Sequence, residues 1–96
     1  MVLYACFWEI KPEDLDKAIP LFQKMVELRG TGDYPVAKTP TYAYYGETSG
    51  FTVYDLKDPK EAMMHFTHYH PYFKFTWRPI SEASEVVGVY LKNKKR

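Results

Sequence analysis

Ninety-six residues, 46% of them hydrophobic and 26% charged, bound a single small domain (1–96) with a thin core, since a chain of this length buries only about 60 to 65% of the surface it exposes when unfolded. The formal charge is +1, but four of the thirteen basic residues (Lys92, Lys94, Lys95, Arg96) stand in the last five positions, and the body without them carries 9 basic against 12 acidic residues, or −3. That sign disfavours nucleic acid, whose affinity rests on neutralised phosphates, and reads residues 92–96 as a solvated, frayed basic tail.

The first strand is expected from Val2 to Ile10. Both its faces are apolar: Val2, Tyr4, Cys6, Trp8 and Ile10 form the set expected under helices, whereas Leu3, Ala5 and Phe7 need another cover, assigned to a second subunit. Its Cys6 is the chain's one cysteine, so no intramolecular disulfide forms and a cytoplasmic setting is expected. Glu9 and Lys11 arrive too soon after the apolar start, which has no basic flank, for a signal peptide or membrane span.

Lys11-Pro12-Glu13-Asp14 suits a helix entrance, with proline in the first turn and acids at the positive end of the dipole. The helix is expected to run to about Leu28, burying Leu15, Ile19, Phe22 and Val26, with Gly30 as its C-terminal cap. Pro20 cannot donate to the Asp16 carbonyl and is expected to bend it. Gly30 to Pro40 reads as a loop. Strands from Thr41 to Glu47 and from Phe51 to Leu56 are expected as a hairpin joined through Thr48-Ser49-Gly50, with Gly50 left-handed.

Asp58-Pro59-Lys60-Glu61 is the clearest helix start in the chain, with Asp58 as cap and Glu61 reaching back. The second helix is expected to end near Tyr69 and to bury Ala62, Met63, Phe66 and Tyr69. His70 before Pro71 turns the chain into a strand from Tyr72 to Ile80, alternating Phe73, Phe75 and Trp77 with Lys74, Thr76 and Arg78. Ser81 to Asn93 has features of strand and helix, and Ser81 with Glu82 and Glu85 favours helix. The expected class is α+β, a ferredoxin-like βαββαβ four-stranded antiparallel sheet with two helices on one face and a C-terminal helix.

Three segments carry a resemblance: Trp8-Glu9-Ile10-Lys11-Pro12-Glu13, Gly50-Phe51-Thr52-Val53-Tyr54-Asp55, and Thr76-Trp77-Arg78-Pro79-Ile80. With them the chain resembles the dimeric α+β-barrel superfamily, and within it small stand-alone proteins grouped as a domain of unknown function. The resemblance implies two sheets packed face to face across a two-fold axis. Members include cofactor-free quinone-forming monooxygenases, haem-degrading enzymes and chlorite dismutases, but no catalytic motif of theirs transfers residue by residue, so the likeness speaks for a pocket and not for a reaction.

Among candidate residues, Glu61, His65 and His68 stand at i, i+4 and i+7, a spacing that can offer a carboxylate and two imidazoles to a metal. Their place beside the expected buried stripe reads better as a solvated face, and no metal is assigned. His70 can face a cavity edge as a base or haem ligand, or be an ordinary turn histidine. Of the aromatic set Tyr4, Trp8, Tyr42, Tyr44, Tyr54 and Trp77, any one serves equally as core or interface. The ligand-binding set assigned is Trp8, Tyr42, Tyr44, His65, His70 and Trp77, and Arg78 is open to a carboxylate or an inter-subunit ion pair.

The residues name no cofactor and leave catalysis open. The expectation is a homodimer through the open sheet face, with a small planar or aromatic ligand between sheet and helices. The alternatives are an assembly dimer with no pocket, a cofactor-free or haem-linked monooxygenase-like enzyme, and, weakest, an RNA-binding module. The last shares the element order, but Ser49 stands where its third-strand signature needs a basic residue.

Overall fold

The computed structural model describes residues 2–28 and 35–94. In chain order these form β1 (Val2–Ile10), a 3-10 turn (Pro12–Asp14), α1 (Leu15–Leu28), β2 (Val36–Ala37), β3 (Tyr42–Ala43), β4 (Ser49–Leu56), α2 (Lys60–Tyr69), β5 (Phe73–Ile80) and α3 (Ala83–Lys94). Among the described residues this is an α+β architecture, an open antiparallel sheet of five strands with three helices. The strand order is β2-β4-β1-β5, and β3 also pairs with β4. The expected cap Gly30 and the end of the basic tail, Lys95 and Arg96, lie outside the described residues.

β1 is the centre of the sheet. It exchanges ladders with β4 on one side and β5 on the other, so that Cys6 stands opposite both Thr52 and Trp77. A central strand has no edge to keep polar, and this is why nearly every residue of β1 is apolar. At its end, the Ile10 N–H donates to the Thr48 carbonyl at 2.9 Å and the Thr48 hydroxyl donates to the Ile10 carbonyl, tying β1 to the loop before β4. Cys6, Tyr54 and Leu56 form the buried cluster, with Tyr4, Ala37, Ala62, Phe75 and Trp77 against it.

The outer edge departs from expectation. Instead of one strand from Thr41 to Glu47 there are two short pieces. Val36–Ala37, inside the expected loop, pairs with Asp55 and Tyr54, and Tyr42–Ala43 pairs with Phe51 and Gly50. Pro40 lies between them and has no N–H to continue a ladder. The hairpin exists, but its turn comes earlier, at Tyr44 to Glu47, where the Glu47 N–H donates to the Tyr44 carbonyl at 3.2 Å. Gly46, not Gly50, is the left-handed residue, at φ 76°, a value that suits the third position of a type II turn. Gly50 is needed for another reason: a Cβ there would fall 2.6 Å from Trp8 Cζ2 and closer still to the Tyr42 carbonyl oxygen.

Both packed helices are rotated from the faces that hydropathy predicts. In α1 the deepest residues are Ala18 and Met25, whereas Ile19 and Val26 stay half exposed. The apolar stripe is wider than the helix can bury, and the residues it turns inward include the small Ala18. Pro20 lies within α1 on its exposed side, so the carbonyl it leaves open faces water at little cost. In α2 the buried residues are His65 and Tyr69, while Met63 keeps 67% of its surface and Phe66 43%. A flat imidazole fits among the surrounding rings edge to face. The start of α2 is as expected: the Lys60 N–H donates to Asp58 Oδ1 at 2.8 Å, and Glu61 Oε1 accepts from the Lys57 N–H at 3.2 Å.

α3 is a helix, as Ser81 and Glu82 suggest, and it buries none of its residues. It stands out from a molecule whose principal extents are 56 × 32 × 19 Å. Among the described residues no helix is long and apolar enough to cross a membrane.

Candidate functional site

The inward face of β1, β4 and β5 carries period-two side chains toward α1 and α2. Between the layers lies a cavity of about 380 Å³ whose walls include Cys6, Trp8, Ala18, Tyr54, His65 and Phe75. Its lining is almost wholly apolar. Thr41, Thr48 and Glu47 from the hairpin region stand at one end, and there the Thr52 hydroxyl donates to the Thr41 hydroxyl oxygen at 2.9 Å.

His65 is the one histidine in this wall, and it is 3% exposed. Its ring centroid lies 5.1 Å from Tyr54, 5.0 Å from Tyr69, 4.9 Å from Phe75 and 5.5 Å from Trp77, all edge-on or tilted. The imidazole is thus held by rings on several sides, which fixes its position better than a single hydrogen bond would. The Trp8 indole Nε1 is buried without a hydrogen-bond partner, an arrangement that costs roughly 1 to 3 kcal/mol. Chemically the cavity offers a large apolar surface, one imidazole and hydroxyl groups at one end.

The six residues assigned from sequence fall in three places. Trp8 and His65 line the cavity together. Trp77 touches His65 from the far side, and with His70 it lines an outer groove between α2 and β5 that also includes Ala62, Met63 and Phe66. His70 is exposed, its ring 4.8 Å from that of Phe66. Tyr42 and Tyr44 stand around Phe51, at 5.3 and 6.3 Å, on the open side of the sheet, where Phe7 is Phe51's partner on β1.

Of the Glu61, His65 and His68 stripe, Glu61 serves the helix start, and the His68 Nε2–H donates to the Leu21 carbonyl of α1 at 2.9 Å. His68 is therefore a tie between the helices, not an outward residue. Among the described residues no three His, Cys, Asp or Glu side chains are placed to hold a metal ion. Sequence reasoning passed over Thr41, Thr52 and Ala18. The alternation of Thr52 with Tyr54 on β4 signals the inward side of that strand, but nothing local marks Ala18 as a buried residue of the cavity wall.

The family model described as "Domain of unknown function (DUF3303)" matches residues 2–94, and the chain belongs to that family. No curated protein matches it.

Proposed function

We propose that this chain binds a small, flat, largely apolar ligand in the cavity between sheet and helices, and that it does so as a homodimer joined through the open face of the sheet. The observation that carries the ligand half is the cavity itself. Its volume of about 380 Å³ lies within the range of roughly 300 to 1,000 Å³ typical of small-molecule sites, and such sites combine an apolar lining with a few fixed polar groups. Here those groups are the ring-held imidazole of His65 and the hydroxyls of Thr41 and Thr52. A planar ligand fits walls made of rings.

The dimer half is supported by the open sheet face. Phe7, Tyr42 and Tyr44 keep 37, 47 and 40% of their surface there around Phe51. Asp55, on the same side of β4, is buried with its Oδ1 lacking a partner, a state that a polar group from a facing subunit would relieve. The order β5, β1, β4 with a further edge beyond supports the split βαβ reading of the fold, on which the proposed dimeric barrel rests.

Titration with haem and with a panel of planar aromatic probes tests the ligand half, read by Trp8 fluorescence, the Soret band and thermal shift. Saturable binding is expected, with a raised melting temperature, and Ala18→Trp, which fills the cavity, abolishes it while far-UV circular dichroism stays native. No saturable response to any probe overturns this half. Light scattering tests the other, and a monomer at micromolar concentration overturns it.

A further inference from the structure

Among the described residues, the helix without a buried side chain and the open groove beside α2 have matching patterns. On α3, Ala83, Val86, Val87, Tyr90 and Leu91 recur at i, i+3, i+4, i+7 and i+8, one apolar stripe along the helix. Val86, Val87, Tyr90 and Leu91 are each 52 to 61% exposed, although such a stripe normally lies against a core. On α2, the outward side offers Met63, Phe66 and His70 at i, i+3 and i+7, and these form the rim of the groove of about 530 Å³ floored by Phe73, Phe75 and Trp77 of β5. α3 has twelve residues and α2 ten, so the helices are of similar length, about 18 and 15 Å.

Charge decides the direction in which they pair. α2 begins with Asp58 and Glu61 and is followed by His70 and Lys74, whereas α3 begins with Glu82 and Glu85 and ends with Lys92 and Lys94. Antiparallel packing sets opposite charges and opposed dipoles side by side; parallel packing sets like against like. A chain cannot reach the antiparallel arrangement on itself. α2 runs opposite to β5, because Tyr69 lies 4.2 Å from Phe73 and His65 lies 5.5 Å from Trp77, measured between ring centroids. α3 leaves the far end of β5 after only Ser81 and Glu82, so if folded back it would lie parallel to α2.

We propose that α3 is an exchange arm: each copy lays its α3 antiparallel in the groove between α2 and β5 of a second copy of this chain. This deepens the homodimer reading above and rests on it. Centring the two helices on one another pairs Phe66 with Val87, Met63 with Tyr90, His70 with Ala83 and Glu61 with Lys92, so that both apolar seams meet along their length. The contact is reciprocal and closes under two-fold symmetry, which limits it to a dimer.

The test uses full-length chains in a Cys6→Ala background. Chains carrying Phe66→Cys are mixed with chains carrying Val87→Cys and oxidised mildly. A disulfide-linked pair is expected in the mixture and in neither chain alone. Put on one chain, the two cysteines are expected to link different copies. In parallel, Val87→Glu is expected to weaken the dimer roughly tenfold or more while leaving the melting curve of the dilute monomer nearly unchanged, since Val87 is 54% exposed on a helix that has no buried residue. A disulfide closed within a single chain, or no mixed disulfide together with an undiminished dimer, overturns the exchange and leaves the sheet-face dimer standing. A wild-type monomer at micromolar concentration overturns both.

Discussion

On the inward side of α2, His65 and Tyr69 are 3 and 2% exposed and lie among the rings of Tyr54, Phe73, Phe75 and Trp77. On its outward side Met63 and Phe66, more hydrophobic than histidine by any scale, keep 67 and 43% of their surface. The two sides lie on the same ten residues, so propensity and helix ends cannot separate them. What separates them is the shape of the surface beneath. A sheet faced with rings accepts flat side chains that pack edge to face, and it places the flexible Met63 and the ring of Phe66 over the groove beside it. An apolar side chain left out in this way is no sign of a faulty core, since much of any folded surface is apolar.

The sharpest way to break this contrast is to remove one ring from each side. Tyr69→Ala is expected to cost about 3 to 5 kcal/mol, and Phe66→Ala under about 1 kcal/mol in the dilute monomer, both by urea denaturation. Equal losses would mean that both faces of the helix are packed within one chain, and a larger loss at Phe66 that the other face points inward. Next in size is Gly50→Ala, which brings a methyl against the Tyr42 carbonyl and Trp8. A loss of about 1 to 3 kcal/mol is expected, with faster amide exchange at the β3–β4 pairing showing that the hairpin end of the cavity has loosened. His68→Ala removes the bond to the Leu21 carbonyl and should cost about 1 kcal/mol. On the other side, Met63→Ser is expected to stay within about 0.5 kcal/mol of wild type, and a larger loss in dilute monomer would show that the groove rim is packed within its own chain.

The alternation of Phe73, Phe75 and Trp77 was readable because a strand with one buried face repeats every two residues, and the cap at Asp58 because its chemistry is local. The early turn was harder to place. Tyr45-Gly46 and Ser49-Gly50 each offer a glycine for a hairpin. The choice depends on the approach of the Tyr42 backbone to Gly50, a contact between residues on different strands. The rotation of α1 and α2 has the same origin. Hydropathy ranks Ile19 above Ala18 and Met63 above His65, but burial follows the fit to the opposing layer. Of the assigned ligand residues, Trp8 and His65 share the cavity, whereas Tyr42, Tyr44, His70 and Trp77 are distributed by the pleat of the sheet and the turn of the helix onto other surfaces.

By itself the sequence determined the strands β1, β4 and β5, the two helices between them and the start of α2, and it favoured helix over strand for the C-terminal segment, because periodicity, caps and turn chemistry act over a few residues; the division of the outer edge into two short strands was not legible in it. Only the tertiary structure decided which faces of α1 and α2 turn inward, where the cavity opens, that His65 is enclosed by rings, and that α3 is left without a buried residue among the described part of the chain. Those outcomes depend on the shapes of surfaces brought together from distant segments, and no local pattern carries that shape.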